Sequence, residues 1–317
     1  MNMKVSIFVP SHITGFFSIK EDENPLKKGS CGAGVLIDSG VKTSIQTIKK
    51  ENNEIHQIQI RINGKKDPKN ELITLKTIEI LKNYIIKNNG KNNGKFELKD
   101  NIIINHEINV PVGSGFGTSA SCSFGTAIGL SKIFNLDLSN NQAGQIAHLT
   151  EVELGSGLGD VLSQTSKGIV IRTSPGAPKI GKTNIIEDKN NFSDILVLTK
   201  TFGEIDTSSI IKNPKKKKDI NKFGLIMQEK IINNPTIENF MDCSYEFAKK
   251  TGLMNKELLK IVNELKKCTI GASMAMLGNT VFAIAKKEDL GKIQKSDNLK
   301  AIDFKISKIY NDNIKID

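Results

Sequence analysis

Between Pro111 and Ser121 the chain reads Pro-Val-Gly-Ser-Gly-Phe-Gly-Thr-Ser-Ala-Ser, three alternate glycines followed at once by hydroxyl side chains. Glycine at 113, 115 and 117 lets a backbone take positive φ and approach an anion closely. A helix starting here presents free N–H groups and the positive end of its dipole, a ready anion site. Pro111, Gly113, Ser114, Gly115, Phe116, Gly117 and Thr118 are therefore candidate phosphate-loop residues. Thr118, Ser119 and Ser121 add hydroxyls for phosphate oxygens or a Mg2+ shell. No Gly-Lys-Ser/Thr closes the loop as in a Walker sequence, and it begins too far along the chain for a first-strand dinucleotide fingerprint. A tight turn at a helix start is the plainer alternative.

A second cluster follows: His148, Glu151, Glu153, then Gly157-Leu158-Gly159-Asp160. His148 and Glu151, three residues apart, share one helical face, whereas Glu153 points elsewhere. Asp160 emerges from a Gly-x-Gly turn, a setting that aims a side chain into a cleft. Phosphoryl transfer needs a carboxylate to hold Mg2+ and a second group to orient or deprotonate the acceptor hydroxyl. Glu151 and Asp160 suit those roles, although a helix followed by an N-capping Asp would read the same way.

These groups must be held by strands and helices, and the chain supplies both. Met3–Val9 reads as a buried strand entering a polar and aromatic loop at Pro10–Phe17, and Gly29–Gly34 reads as a second, small-residue loop. Val35–Asp38, Val41–Ile48 and Ile55–Ile62 alternate in a way that predicts an antiparallel meander. Apolar residues every three or four positions predict a helix over Asn70–Lys87, followed by an Asn/Gly/Lys loop at Asn88–Lys95. Ile102–Val110 is a further strand that stops at Pro111. Helices are predicted over Ser119–Phe134 and, with Ser139 as N-cap, over Ser139–Leu154. A short helix or turn starts at Asp160, and Gly168–Ile171, Ile195–Thr199 and Thr280–Ala285 are predicted strands. Helical stretches cover Lys222–Ile232, Ile237–Lys250 and Lys256–Lys266. The character changes near 165–180, so two domains are expected, 1–170 with the glycine loop and 171–317.

Composition narrows the function. The 317 residues carry a net charge of +11 and a pI near 9.3, so polyanionic partners have to be considered. Aromatic residues are only 5% and Trp is absent, however, so the platforms that stack bases are scarce. The basic excess is lysine scattered along the chain, including the run Lys215–Lys218, and reads as solvated surface rather than a nucleic-acid face. The four cysteines and four histidines do not cluster at zinc-binding spacings. Met3–Pro10 is short and lacks a cleavage pattern, and no apolar run reaches spanning length. A cytoplasmic enzyme with no membrane or nucleic-acid partner is expected.

The loop at Pro111–Ser121 resembles the second motif of the GHMP kinases, and Gly271–Gly278 sits where that superfamily carries its third. Within the superfamily the chain is similar to the archaeal pantoate kinases. That likeness rests on Val9–Phe17, Gly29–Val35, Gly115-Phe116-Gly117, Gly157–Val161, Ile171-Arg172, Pro175–Pro178 and Ala272–Leu277. It implies an α+β fold of two domains, a ribosomal S5 domain 2-like N-terminal domain and a ferredoxin-like C-terminal domain, with ligands in the cleft between them. It implies ATP and Mg2+ as cofactors, Ser119 and Glu151 as metal ligands, and Asp160 acting on the acceptor hydroxyl. Its acceptor is (R)-pantoate, a small branched hydroxy acid, phosphorylated for coenzyme A synthesis, and homodimers are expected.

Such an acid needs donors for its carboxylate and apolar walls for its methyl groups. Arg172 offers a bidentate guanidinium, with Ser30 and His148 as further donors and His12 as a weaker one. Phe16 and Phe17 are candidates for the walls, or simply core. A surface ion pair for Arg172 and a packed histidine at 148 remain the plain readings. Two rival functions stand beside this one: another GHMP kinase acting on homoserine, mevalonate or a shikimate-like acceptor, and a non-catalytic basic RNA-binding protein.

Overall fold

A computed structural model describes residues 3–49, 57–87, 100–203 and 213–317. The Asn88–Lys95 loop and the start of the strand expected from Ile55 lie outside these residues.

The first sheet is built on one long hairpin. Strand β1 (Lys4–Lys20) pairs antiparallel with β2 (Gly29–Ile48) along its whole length. The loops expected at Pro10–Phe17 and Gly29–Gly34 are therefore strand. Polar and small residues are tolerated there because both faces are covered: Ser11 and His12 are fully buried, and Gly29–Ile37 is buried continuously. What reads as a loop in β1 is a pair of register shifts, at Pro10/Ser11 and Thr14/Phe16. Such bulges re-aim side chains.

Strand β3 (Ile58–Ile62), helix α1 (Pro68–Lys87) and β4 (Asn101–Ile108) form a crossover, so β3 and β4 pair parallel. The expected meander fails because Val35–Asp38 and Val41–Ile48 are one continuous strand, β2, and β3 pairs not with β2 but parallel with β4, a return that needs the intervening helix. β4 adds to the outer half of β2, while β5 (Ile169–Ser174) pairs with its inner half and carries β6 (Lys182–Ile186). Helix α2 (Thr118–Ile133) lies close on the hairpin because Gly125 and Gly129 have no side chain. A Cβ at Gly125 would stand 2.5 Å from Thr43 Oγ1, and one at Gly129 2.7 Å from Ile45 Cδ1. Helix α3 (Asn140–Leu154) opens on the expected Ser139 cap, in a capping box with Gln142, and leads through Gly155 to the short α4 (Asp160–Gln164).

The second sheet has four antiparallel strands in the order β10-β7-β9-β8, comprising β7 (Ile195–Thr201), β8 (Gly271–Met274), β9 (Thr280–Lys286) and β10 (Lys305–Lys308). In chain order this is 4-1-3-2, the arrangement of a ferredoxin-like sheet. Helices α5 (Pro214–Asn233), α6 (Ile237–Lys250) and α7 (Lys256–Lys266) join β7 to β8, and α8 (Leu290–Lys295) precedes β10. The Lys215–Lys218 run forms the first turn of α5, capped by Asn213. Strands β5 and β6 still belong to the first sheet, and β11 (Lys315–Ile316) returns to pair with β1. One apolar core joins the two sheets, with Phe16 and Phe17 from β1 packed against Phe247 of α6. Among the described residues no helix is long and apolar enough to cross a membrane.

Candidate active site

The glycine loop lies between β4 and α2, and its three glycines all take positive φ, 69° at Gly113, 87° at Gly115 and 63° at Gly117. Gly117 is the N-cap of α2 and no side chain caps that end, so first-turn amides remain for a ligand. The backbone is pinned from two sides. His12 N–H donates to the Phe116 carbonyl at 3.1 Å, and Thr280 Oγ1 donates to the Ser114 carbonyl at 2.8 Å. The turn between β8 and β9, where the third glycine-rich block was expected, presses directly on the loop. A Cβ at Gly278 would lie 2.0 Å from Ser114 O.

A cleft runs along this loop. Gly113 to Ser119 form one wall, and Ser156 to Asp160 form the facing wall. Thr14, Phe17, Ser30 and Arg172 form the floor, and Met276 and Leu277 close one side. Thus Gly113, Ser114, Gly115, Phe116, Gly117, Thr118, Ser119, Asp160, Ser30 and Arg172 converge as the sequence predicts.

Ser119 Oγ donates to Glu151 Oε1 at 2.5 Å, and Ser156 Oγ donates to the same oxygen at 3.0 Å. Glu151 is only 2% exposed, and its Oε2 is buried with no hydrogen-bond partner. Burial and the nearby Asp160 charge push the Glu151 carboxyl well above its usual range, against those two hydrogen bonds. A partnerless carboxylate oxygen beside a serine hydroxyl is an oxygen-only donor set that fits a Mg2+ ion. Among the described residues no group of three or more His, Cys, Asp or Glu is placed to hold a metal ion, so most other ligands would be phosphate and water oxygens.

Asp160 sits across from Ser119 with 24% of its side chain exposed. Burial acts to raise its carboxyl, but the hydrogen bond from His12 and the charge of Arg172 outweigh it and hold the group below its usual range. His12 Nδ1 is 2.6 Å from Asp160 Oδ1 and Arg172 Nη1 is 3.4 Å from His12 Nε2. Arg172 is 1% exposed, donates to Ser163 Oγ at 2.9 Å, and keeps a buried Nε without a partner. That nitrogen faces Gly159 and Ser30: a Cβ at Gly159 would lie 2.7 Å from it and 2.3 Å from Ser30 Oγ. A guanidinium with a spare buried donor, beside a serine hydroxyl, is a site for a carboxylate.

Four predicted residues stand elsewhere. Pro111 is exposed at the outer end of the loop. Ser121 is buried with its hydroxyl turned inward, donating to the Gly117 carbonyl at 3.1 Å and accepting from Gln164 Nε2 at 2.8 Å. One turn into α2, its side chain points away from the helix end. His148 is 1% exposed and donates through Nε2 to the Pro25 carbonyl at 3.1 Å, tying down the segment between β1 and β2 rather than lining the cleft. His12 is fully buried behind Asp160 and touches no open volume. Sequence reasoning passed over Thr14, Ser156 and Ser163. Thr14 lies two residues from His12 on one strand and so on the same face, which was the available signal.

Comparison with known proteins agrees with this geometry. Residues 75–168 match the GHMP kinases N terminal domain. The pantoate kinase of Methanocaldococcus jannaschii is 41% identical over 284 residues, 90% of this chain and 94% of that protein. The pantoate kinase of Thermococcus kodakarensis is 34% identical over 320 residues, 99% and 98% of the two chains. A solved phosphotransferase related to the CoA biosynthesis pathway superposes with a TM-score of 0.86 at 30% identity, covering 99% of each chain. With relatives this similar along nearly its whole length, and with an uncapped helix end facing paired carboxylates, the chain belongs to the pantoate kinase family of GHMP kinases.

Proposed function

We propose that the chain transfers the γ-phosphoryl group of ATP to the 4-hydroxyl of (R)-pantoate, giving 4-phosphopantoate. The observation that carries this reading is the single cleft that joins the uncapped end of α2, the Ser119–Glu151 pair, Asp160 and the spare Arg172 donor. Loop amides at Gly113–Thr118 hold the phosphates. Ser119 and Glu151 hold Mg2+, which when bound neutralises charge on the phosphates. Asp160 orients the acceptor hydroxyl and receives its proton as the new O–P bond forms and the bond from the γ-phosphorus to the β,γ-bridging oxygen breaks, releasing ADP. Its depressed basicity favours alignment and electrostatic support over strong proton abstraction. Arg172 and Ser30 hold the acceptor carboxylate, and Phe17 and Leu158 supply apolar contact. His148 acts indirectly, through the Pro25 segment. The expected split at 170/171 moves to the segment between β6 and β7, because β5 and β6 pair within the first sheet. The part up to β6, with β11, binds the nucleotide and the part from β7 closes on it, and the enzyme works as a cytoplasmic homodimer.

A coupled ADP-release assay with Mg-ATP, comparing (R)-pantoate with homoserine, mevalonate, shikimate and no acceptor, tests the reading. Turnover confined to pantoate is expected. Turnover with another acceptor would keep the kinase chemistry and discard the Arg172–Ser30 pocket. No turnover with any acceptor would overturn the proposal.

A further inference from the structure

His12 contacts no solvent, so no substrate can reach it, yet it stands between the two side chains that divide the acceptor between them. A guanidinium has donors only, so the nitrogen that faces Arg172 Nη1 must be the acceptor. That leaves Nε2 without a proton and makes Nδ1–H the donor to Asp160 Oδ1. A doubly protonated ring would instead turn an N–H toward Arg172 in a water-free site, at a large cost. Burial lowers the imidazole pKa more than Asp160 raises it, and Arg172 adds to the lowering, so the neutral form is consistent. Asp160 and Arg172 face the ring, with Thr14 Oγ1 3.4 Å from Nδ1, and the charge of Asp160 is felt in turn at Glu151.

The ring is boxed in. A Cβ at Gly34 would stand 2.2 Å from His12 Nε2, so the imidazole rests on bare β2 backbone. On the other side, a Cβ at Gly117 would come within 3.1 Å of Asp160 Cγ. The ring has no room to drift, and Asp160 is closed on its Gly117 side.

We propose that His12 is a positioning residue: as the neutral Nδ1–H tautomer it holds one oxygen of Asp160 and keeps that carboxylate in register with Arg172, so the acceptor hydroxyl and acid group are received at a set spacing. The activity part of this inference rests on the kinase reading above, whereas the tautomer does not.

Two measurements test it. In the full-length protein labelled with 15N-histidine, long-range 1H–15N spectra at neutral pH should show His12, assigned by its loss in His12→Asn, with a protonated Nδ1 and a bare Nε2. The opposite tautomer or a doubly protonated ring would overturn the proposal, whatever the substrate. In kinetics, His12→Leu should lower kcat by about 100-fold with the KM for ATP and pantoate changed less than about threefold. His12→Asn, whose amide can donate from near the Nδ1 position, should recover at least about tenfold of that loss. Equal losses in both variants, or a rise in the KM for pantoate with kcat intact, would assign His12 to packing or to substrate contact and sink the idea. Wild-type protein inactive on pantoate would count against the function, and the spectra would still decide the role of His12.

Discussion

Asp160 and Glu151 are two carboxylates pushed in opposite directions by their surroundings. Glu151, enclosed and short of partners, resists ionisation, while Asp160 is kept ionised by His12 and Arg172. That separation assigns roles: Asp160 is available as an anion to an incoming hydroxyl, and Glu151 gains full charge when a cation compensates it. Asp160→Asn should lower kcat about 100-fold or more while leaving ATP affinity near wild type, read by steady-state kinetics and nucleotide titration. Wild-type turnover in that variant would remove Asp160 from the chemistry. Arg172→Ala should act differently and raise the KM for pantoate by about 10- to 100-fold, the loss of a charged hydrogen-bonding partner. An unchanged KM would show that the spare Nε does not meet the acceptor. These side chains were legible in the sequence because their neighbours are unusual: Asp160 in Gly-x-Gly-Asp, Ser119 just past alternate glycines. The error at Ser121 has a local reason, since hydroxyls two residues apart on a helix point to different sides.

At the scale of elements, β1, β2 and α2 place the chemistry, and α1 braces them from outside. His106 on β4 is fully buried, with Nδ1 2.9 Å from Thr43 Oγ1 of β2 and Nε2 2.9 Å from Thr74 Oγ1 of α1. Burial lowers its pKa to about 4 from an ordinary 6.5. In that window the unfolded chain binds a proton that the folded chain refuses, so stability falls as pH drops from 6.5 toward 4 and levels off below. The contribution is about 3 kcal/mol across the window. Urea unfolding at pH 7 and pH 4.5 should therefore show a steeper loss for wild type than for His106→Gln, which has no proton to gain. Parallel losses would mean that His106 titrates freely. The helices carried their own signals, and Ile237–Lys250 and Lys256–Lys266 match their expected limits because periodicity and Thr or Asn caps are local properties. The β1–β2 hairpin was less legible. Its inner half is buried on both faces, so small and polar residues replace the alternation that marks a half-exposed strand.

In the whole molecule the two sheets meet at the glycine loop. The β8–β9 turn supplies Met276 and Leu277 to the cleft, donates Met276 N–H to the Thr14 carbonyl at 2.9 Å, and brings Gly278 against Ser114. The second sheet therefore helps shape a phosphate loop that belongs to the first. Gly278→Ala would set a methyl into backbone, so the turn and loop must part. The KM for ATP should rise about tenfold or more with the fold retained, read by kinetics beside circular dichroism. An unchanged KM would show that the turn only covers the loop. Some surface lysines are paired, such as Lys217 with Glu21 and Lys230 with Glu246, but the 45 Lys and Arg outnumber the 34 Asp and Glu, which leaves the net charge of +11.

By itself the sequence determined the glycine loop at the head of α2, the carboxylates that follow, the helices with their caps, and the family to which these motifs belong. Each of these is encoded within about a dozen neighbouring residues, where steric freedom, capping and periodicity act directly. Only the tertiary structure decided that β3 and β4 run parallel, that β5 and β6 stay with the first sheet, and that His12 lies behind Asp160 rather than against a substrate. Those features join positions far apart in the chain, 148 residues in the case of His12 and Asp160. Such contacts form because closing the chain buries a shared apolar core, and no local pattern of residues records which distant surface will do the burying.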